Sequence, residues 1–455
     1  MFYERSSMYD FIINLLDLKP EDILDLYKED SSSSITFHLT LKRSPSLCPS
    51  CFHLTDSIKD YYLKSYHHGI LNGLDTIIVY HCRRYKCSHC GRTFKEKSSL
   101  GNQYFSITPT TVISILNQLK HYTATYSEVA RRHHVSISTV VSIFDNHVQI
   151  KRHKLSTVLC IDEIYFNRHS QYKYAFVIMD FKTKRILDMV ESRKMRQLSD
   201  YFFKIPIQER KQVQYICMDM YVPYKQIVMR FFPMATICID SFHVIKKITD
   251  ALNAVRKRVM RQYQHNKDSK EYRLLKYRYK LLLKNGEHIN TTKYFFDHIL
   301  GYTTTEANVL HILLNIHKDL RVAYELKEDY QLFNSCLKEE FEYMGYQKEL
   351  NALITSMKKT EIKEFVEVSK TLKNWEKEIL NSFHWFDKRR ISNGCIEGKN
   401  NYIKKILSNA NGMRNFERAR NRIMYSQNLY DTYTISVHEH KIKKPGNFRG
   451  KYQKK

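Results

Sequence analysis

Three short stretches decide how this chain reads: Val158-Leu159-Cys160-Ile161-Asp162, Tyr215-Ile216-Cys217-Met218-Asp219 and Thr236-Ile237-Cys238-Ile239-Asp240. Each is an apolar run of strand length that ends on an aspartate, the pattern of a buried strand with a carboxylate at its terminus. Taking a carboxylate out of water is costly unless something compensates it, so a charge at these places needs a reason. If Asp162 and Asp219 end neighbouring parallel strands, both come within reach of one divalent cation, and Asp240 is a third acid of the same kind. Apolar runs at 174–179 and 185–190, with helical patterns near 195–203 and 222–231, complete the prediction of an α/β sheet in which strands come first and strand–helix alternation follows.

One carboxylate pair does not readily hold two cations, so a further acid must come from another element. The stretch Ser392-Asn393-Gly394-Cys395-Ile396-Glu397-Gly398-Lys399-Asn400-Asn401 supplies one. Asn393-Gly394 reads as a turn and a helix follows it, on which Glu397, Asn401 and Lys404 stand at i, i+4 and i+7 and share a face. Glu397 can then ligate metal while Asn401 and Lys404 meet phosphate. Two cations about 3.5 to 4 Å apart, one activating the attacking oxygen and one stabilising the leaving oxygen, are what phosphoryl transfer on DNA requires. Magnesium, or manganese in its place, suits such an oxygen-ligand site. A single acid at a strand end is more often a cap or a salt-bridge partner, so the trio calls for independent support.

Upstream of the sheet, 126–148 reads as helix, turn, helix. Ser127 to Arg132 opens one helix, and Ser136-Ile137-Ser138-Thr139 opens the next, whose hydroxyls can meet phosphates or base edges. Arg131 and Arg132, with His133 and His134, add a positive flank; the plainer reading is a three-helix packing unit without DNA contact. Earlier still, Cys48-Pro49-Ser50-Cys51 and Cys87-Ser88-His89-Cys90 are two knuckles able to aim four thiolates at one structural zinc. The 35 residues between them exceed the usual zinc-ribbon separation, which leaves His81, Cys82 and His89 as substitute ligands and two metal-free pairs as the alternative. Alternation in 35–41 and in 76–81 predicts strands beside these knuckles, and helical spacing in 8–27 predicts two short N-terminal helices.

The chain has 455 residues, 43% of them hydrophobic, which is enough for several folded units. Its 74 Lys and Arg against 47 Asp and Glu give a net charge of +27, which points to a polyanionic partner. No apolar run approaches the ~18 to 20 residues that span a bilayer, so nucleic acid is favoured over membrane and a cytoplasmic, nucleoid-associated location is expected. Ten cysteines, five near the knuckles and five scattered (Cys160, Cys217, Cys238, Cys336, Cys395), read as metal ligands and reduced core thiols.

Together, Ile161-Asp162-Glu163, the Met218-Asp219-Met220-Tyr221-Val222-Pro223-Tyr224 stretch, Ile239-Asp240-Ser241-Phe242-His243-Val244-Ile245-Lys246 and the late Asn393-Gly394 to Lys404 segment resemble the insertion-sequence L-three family of DDE transposases. The closing stretch Asn411-Gly412-Met413-Arg414-Asn415-Phe416 is similar to the family's as well. The resemblance implies an RNase H-like catalytic fold in which Asp162, Asp219 and Glu397 form the metal-binding triad and a helical insertion precedes the glutamate. It leaves Asp240 and His243 open between structural, DNA-positioning and catalytic parts.

The expected organisation is multidomain α/β: an N-terminal helical segment (1–34), a zinc-ribbon-like domain (35–102), a helix-turn-helix domain (103–150), a first part of the catalytic core (155–245), an all-helical insertion (246–384), a second part of the core (385–430) and a basic tail (431–455). The expected function is binding of terminal inverted repeats, metal-dependent DNA cleavage and strand transfer into target DNA by a homo-oligomer. Two other readings fit the same residues: a DNA-binding regulator with an inactive sheet domain, and a metal-dependent nuclease without strand transfer.

Overall fold

The computed structural model describes residues 13, 18–71, 73–96, 106–166, 171–335, 343–410 and 413–427. Cys336, the Asn411-Gly412 pair of the closing stretch and the basic tail at 431–455 lie outside them. The chain folds as two compact units, one of residues 1–150 with 405–413 and 417–455, the other of 151–404 with 414–416.

The first unit begins with a sheet of β1 (Ile23–Asp30), β2 (Ser34–Leu41), β5 (Ile58–Leu71), β6 (Leu74–Lys86) and β7 (Thr93–Lys95), in the order β1-β2-β6-β5 with β7 on β6. Two short strands, β3 (Ser46–Leu47) and β4 (Leu54–Thr55), form a separate hairpin. Alternation in β2 buries Ile35, Phe37 and Leu39 as its sequence predicts. The helical reading of 1–34 is overturned at its C-terminal end, where 23–30 is an edge strand antiparallel to β2. A register shift between Ile23 and Asp25 adds one residue to the strand, so Ile23 and Leu26 both face the core at a three-residue spacing that imitates a helix.

Three helices follow: Pro109–Leu119, Tyr126–Arg132 and Ile137–His147. Thr125 caps the second by accepting from Glu128 N at 3.1 Å, and Ser136 caps the third by accepting from Thr139 N at 3.1 Å. The turn between them passes through His134 at φ +49, a left-handed position. Val129, Ala130, Val140 and Phe144 pack on Ile115, Leu116 and Leu119. A fourth helix, Phe416–Gln427, completes this core from the far end of the chain. Its Tyr425 joins the cluster and donates to Leu116 O at 3.2 Å, Arg418 pairs with Asp145 at 2.6 Å, and the buried Arg422 donates to His121 O and Ala124 O, both at 2.8 Å. The segment 385–430, expected to return as a whole to the sheet, therefore divides, and its last helix packs on the helix-turn-helix because its apolar face complements that bundle.

The second unit is built on β8 (Val158–Tyr165), β9 (Tyr174–Asp180), β10 (Ile186–Val190), β11 (Tyr215–Met218) and β12 (Thr236–Ile239), in the order β10-β9-β8-β11-β12. The first three are antiparallel neighbours, and β11 runs parallel to both β8 and β12. On one face Ile161 and Phe176 share a core with Leu198, Phe202, Tyr224 and Ile227 from the helices Met195–Phe203 and Val222–Phe231; the Phe176 ring meets Phe202 and Tyr224 edge-on.

From β12 the chain enters the helix Ser241–Gln262 and a largely helical insertion that ends with Glu376–Asn381. It is not all helix: β13 (Phe295–Asp297) and β14 (Tyr302–Thr304) form a hairpin whose alternation is too short to register as a strand signal in the sequence. Among the described residues no helix is long and apolar enough to cross a membrane.

Candidate functional site

Strand register explains why three acids meet. Cys217 pairs with Cys160 in β8 and with Cys238 in β12. Carrying the offsets forward, 217 − 160 = 57 sets Asp219 opposite Asp162, and 238 − 217 = 21 sets it opposite Asp240. Parallel strands lie about 4.8 Å apart, so three carboxylates stand in one row on one face of the sheet. Asp162 is not at its strand's end as the sequence suggests, because β8 continues to Tyr165 alongside β9. The row exists because only β11 and β12 stop here.

His243, in the first turn of the helix after β12, closes the group: its Nε2 is 2.9 Å from Asp219 Oδ1 and 3.9 Å from Asp240 Oδ2. One ligand atom each from Asp219, Asp240 and His243 lies within 4.8 Å of the others. Asp240 Oδ2, buried, accepts no hydrogen bond among the described residues, and Asp219 Oδ1 has only its ion contact with the imidazole. Orphaned carboxylate oxygens facing one another fit a divalent cation, for which oxygen and imidazole donors are suitable. Burial raises the Asp240 carboxyl, and burial followed by the neighbouring Asp219 charge pushes Asp162 up to about 6. For His243 burial acts downward, but Asp219, Asp240 and Asp162 around it outweigh this and its pKa is raised.

Glu397 lies in the first turn of the helix Gly394–Asn409, half-buried, and its charge contributes to raising Asp240. It stands outside the tight Asp219–Asp240–His243 group, and Asp162 does too. Asn401 and Lys404 of the same helix are exposed. Two residues that sequence reasoning passed over secure this corner. Asn400, buried, donates Nδ2 to Asp162 Oδ2 at 2.6 Å. Asn393 donates its backbone N–H to Asp240 Oδ1 at 3.0 Å and its Nδ2 to Ile161 O at 3.1 Å. Helix geometry places i+3 beside i as readily as i+4, so Asn400 was available as a signal beside Glu397.

Glu163, next to Asp162 but pointing to the other face, accepts from Tyr224 OH at 2.5 Å and pairs with Arg193. That guanidinium also lies over the Tyr174 ring at 4.1 Å. The Tyr224 that follows Asp219 in the sequence motif therefore ties the helix Val222–Phe231 to β8, the central strand of the sheet.

In the first unit the knuckles converge. Cys48 Sγ is 3.5 Å from Cys90 Sγ, Cys51 Sγ is 3.5 Å from Cys87 Sγ, and all four lie within 4.8 Å of one another. A tetrahedral zinc with Zn–S near 2.3 Å would set its sulfurs roughly 3.8 Å apart, so the donor set fits. Both knuckles have the same construction: Phe52 N donates to Cys48 O and Gly91 N to Cys87 O, with positive φ at Phe52 and Gly91. Burial would raise the Cys48 thiol, but the backbone N–H groups of Cys51 and Ser50 outweigh it and bring it down to about 6. For Cys51 the His53 N–H acts downward, but burial and the Cys90, Cys87 and Cys48 thiols push it up to about 12, so the four sulfurs share their protons unevenly. The long separation is filled by the β5–β6 hairpin, and the substitute ligands are engaged elsewhere: His81 bonds His38 at 3.2 Å, Cys82 is in the sheet core and His89 stacks on His53.

At the helix-turn-helix, Arg131, Arg132, Ser136 and Ser138 are exposed and Thr139 is half-buried. Arg132 is tied to Glu128 at 2.5 Å, and His133 is buried, its carbonyl meeting His67 Nε2 at 2.8 Å. His134 pairs with Asp75 at 2.7 Å, so the turn itself is docked on the sheet.

The second unit thus carries a row of carboxylates on a mixed sheet and a further acid, Glu397, on a helix that follows an insertion, the arrangement of a DDE-type fold. The family model described as transposase, for DDE transposases of the ISL3 (insertion-sequence L-three) group, matches residues 159–423. The chain belongs to this family. A transposase for insertion sequence element IS1001 from Bordetella parapertussis is 21% identical over 269 residues, 58% of this chain and 65% of that protein's length.

Proposed function

We propose that this chain is an active DDE transposase that cuts DNA at the ends of an insertion sequence and joins the freed 3′ ends to a target. The observation that carries this reading is the in-register row of Asp162, Asp219 and Asp240, with Glu397 on a helix electrostatically linked to it. The strand order, three antiparallel strands followed by two parallel ones on the far side of the first, supports an RNase H-like core.

In this reading Asp162, Asp219 and Glu397 hold two magnesium or manganese ions, which would polarise the scissile phosphate and ready the attacking oxygen when bound. Asn400 fixes the Asp162 carboxylate through Oδ2 and leaves Oδ1 to the Glu163 N–H at 2.7 Å, so Asp162 enters the reaction already oriented. Asp240 is anchored by the Asn393 N–H, and the His243 Nε2, 2.9 Å from Asp219 Oδ1, faces both acids. In this arrangement the surrounding carboxylates raise the imidazole's pKa, and its contact with Asp219 keeps the acids together before cations arrive. Asn401 and Lys404, both exposed, meet backbone phosphates. Cys48, Cys51, Cys87 and Cys90 hold a structural zinc, and Arg131, Arg132, Ser136, Ser138 and Thr139 contact the terminal inverted repeats. A homo-oligomer would act on the paired ends.

The test is cleavage and joining of the element's own ends by the wild type beside Asp162→Asn, Asp219→Asn and Glu397→Gln. Each substitution is expected to lower the rate by at least about a thousandfold, several kcal/mol of transition-state stabilisation. Variants that cut as well as the wild type would overturn the assignment, and cleavage without joining of pre-cut ends would reduce the protein to a nuclease.

A further inference from the structure

The geometry points to a second nucleic-acid surface: the β13–β14 hairpin of the insertion is a stacking platform for unpaired nucleotides of a DNA strand. It rests on the transposase reading only for the class of partner; none of its residues belongs to the carboxylate site.

The hairpin has a buried side and a bare side. On the buried side Asp297, with no exposed surface, takes a 2.7 Å bond from Arg278 Nε and accepts from Ile299 N at 2.8 Å and Leu300 N at 3.1 Å. Thr304 is buried beside it, and Gly301, at φ +80, closes the turn by donating to Asp297 O at 2.8 Å. These bonds hold the strands rigidly. On the bare side stand Tyr294, 68% exposed, and Phe296, 53% exposed, with His298 next in alternation and its ring 5.2 Å from that of Phe296. Scattered exposed apolar residues need no explanation, but three exposed rings at alternate positions on and beside a braced ribbon, with Phe296 and His298 meeting edge-on and each leaving a face open, do.

Charge decides between occupants. Residues 256–293 carry twelve Lys and Arg against three Asp and Glu, so 12 − 3 = +9, and Lys293 directly precedes Tyr294. Arg256 is buried on Leu275 O, and Arg258, Arg278 and Lys284 are spent on internal ion pairs; the eight that remain against three acids leave this stretch at 8 − 3 = +5, with Lys293 the one next to the rings. The core of a protein–protein patch is depleted in charge, whereas a strand of nucleic acid offers phosphates for the lysines and π-faces for the rings. Duplex DNA hides its base faces, so the complementary ligand has unpaired bases. Tyr, Phe and His stack on any base, so little sequence preference is expected.

The test measures anisotropy of a labelled oligothymidylate of about 20 nucleotides, and of a mixed-sequence duplex of equal length, with full-length protein in magnesium-free buffer. The Tyr294→Ala/Phe296→Ala double variant is expected to bind the single strand about tenfold or more weakly and the duplex within about twofold of wild type, while Phe296→Trp keeps single-strand affinity. Both positions are more than half exposed, so folding is not at stake, and circular dichroism checks it. Unchanged single-strand affinity in the double variant overturns the proposal. So does equal loss on both probes, or a fall in molar mass by light scattering with single-strand affinity intact, which would assign the face to a second copy of the chain. Because no cleavage is read, failure here leaves the carboxylate reading standing, and a fully active Asp219→Asn protein would sink that reading without touching this one.

Discussion

Burial beside Asp219 pushes the Asp162 carboxyl up to about 6, so in the metal-free protein its charged form is opposed by the fold. An unfolded aspartate titrates near 3.9, so between roughly pH 4 and 6 the native state binds more protons than the unfolded one. This group's contribution is therefore most favourable below about pH 4 and is lost as pH rises through about 6. Asp162→Asn removes that charge but offers one acceptor oxygen to the two donors, Asn400 Nδ2 and the Glu163 N–H, so part of the electrostatic gain is offset by a lost hydrogen bond. We expect metal-free Asp162→Asn to melt above wild type at about pH 8, by at most about 3 kcal/mol, with the gap closing near pH 4 and narrowing when magnesium stabilises the wild type. A variant that melts below wild type at pH 8 would contradict the electrostatic account. Asp162, Asp219 and Asp240 stood out in the sequence as acids following apolar runs, and the strand register sets them in one row, whereas the grouping of His243 with Asp219 and Asp240 had no spacing to announce it. Asn400 stood beside Glu397 at i+3 as Asn401 did at i+4, and the choice between them was made by burial, which arises only from the packing of helix on sheet.

Among the elements, the strands of the second unit, both knuckles and the three helices of the bundle at 109–147 could be read from apolar runs, CxxC spacing and caps. What escaped was made by contact. The bulge in β1 let Ile23 and Leu26 pose as a helical face, and β13–β14 is only three residues per strand. The fourth helix of the bundle lies some 270 residues downstream of the third, as the Arg418–Asp145 pair shows, and no local signal reports such a partner. Its Ile423, Met424 and Tyr425 are buried. Each contributes about 1.5–3 kcal/mol, which together rivals the entire stability of a small domain, about 5–15 kcal/mol. A fragment ending at residue 150 is therefore expected to show weak, broad thermal unfolding, and one carrying 405–427 on a flexible linker to regain a cooperative transition at higher temperature. Equal melting of the two fragments would show the fourth helix to be dispensable.

For the molecule as a whole, the charge of +27 sets the scale of its response to salt. If six to ten phosphates are neutralised on duplex DNA, affinity should fall by about 10³ to 10⁵ between roughly 50 and 200 mM monovalent salt. A titration of end-containing and unrelated duplexes checks this, and a slope near zero would exclude an electrostatic mode of binding. Two residues behind the three aspartates, the same strands carry Cys160, Cys217 and Cys238 in matching register, and Cys160 lies 3.7 Å from Cys395, which precedes Glu397 by two positions. All three strand thiols are sealed from solvent. Their alkylation by a small reagent must wait for the sheet to part, so the protein carries its own clock for how often the floor beneath its carboxylate row opens.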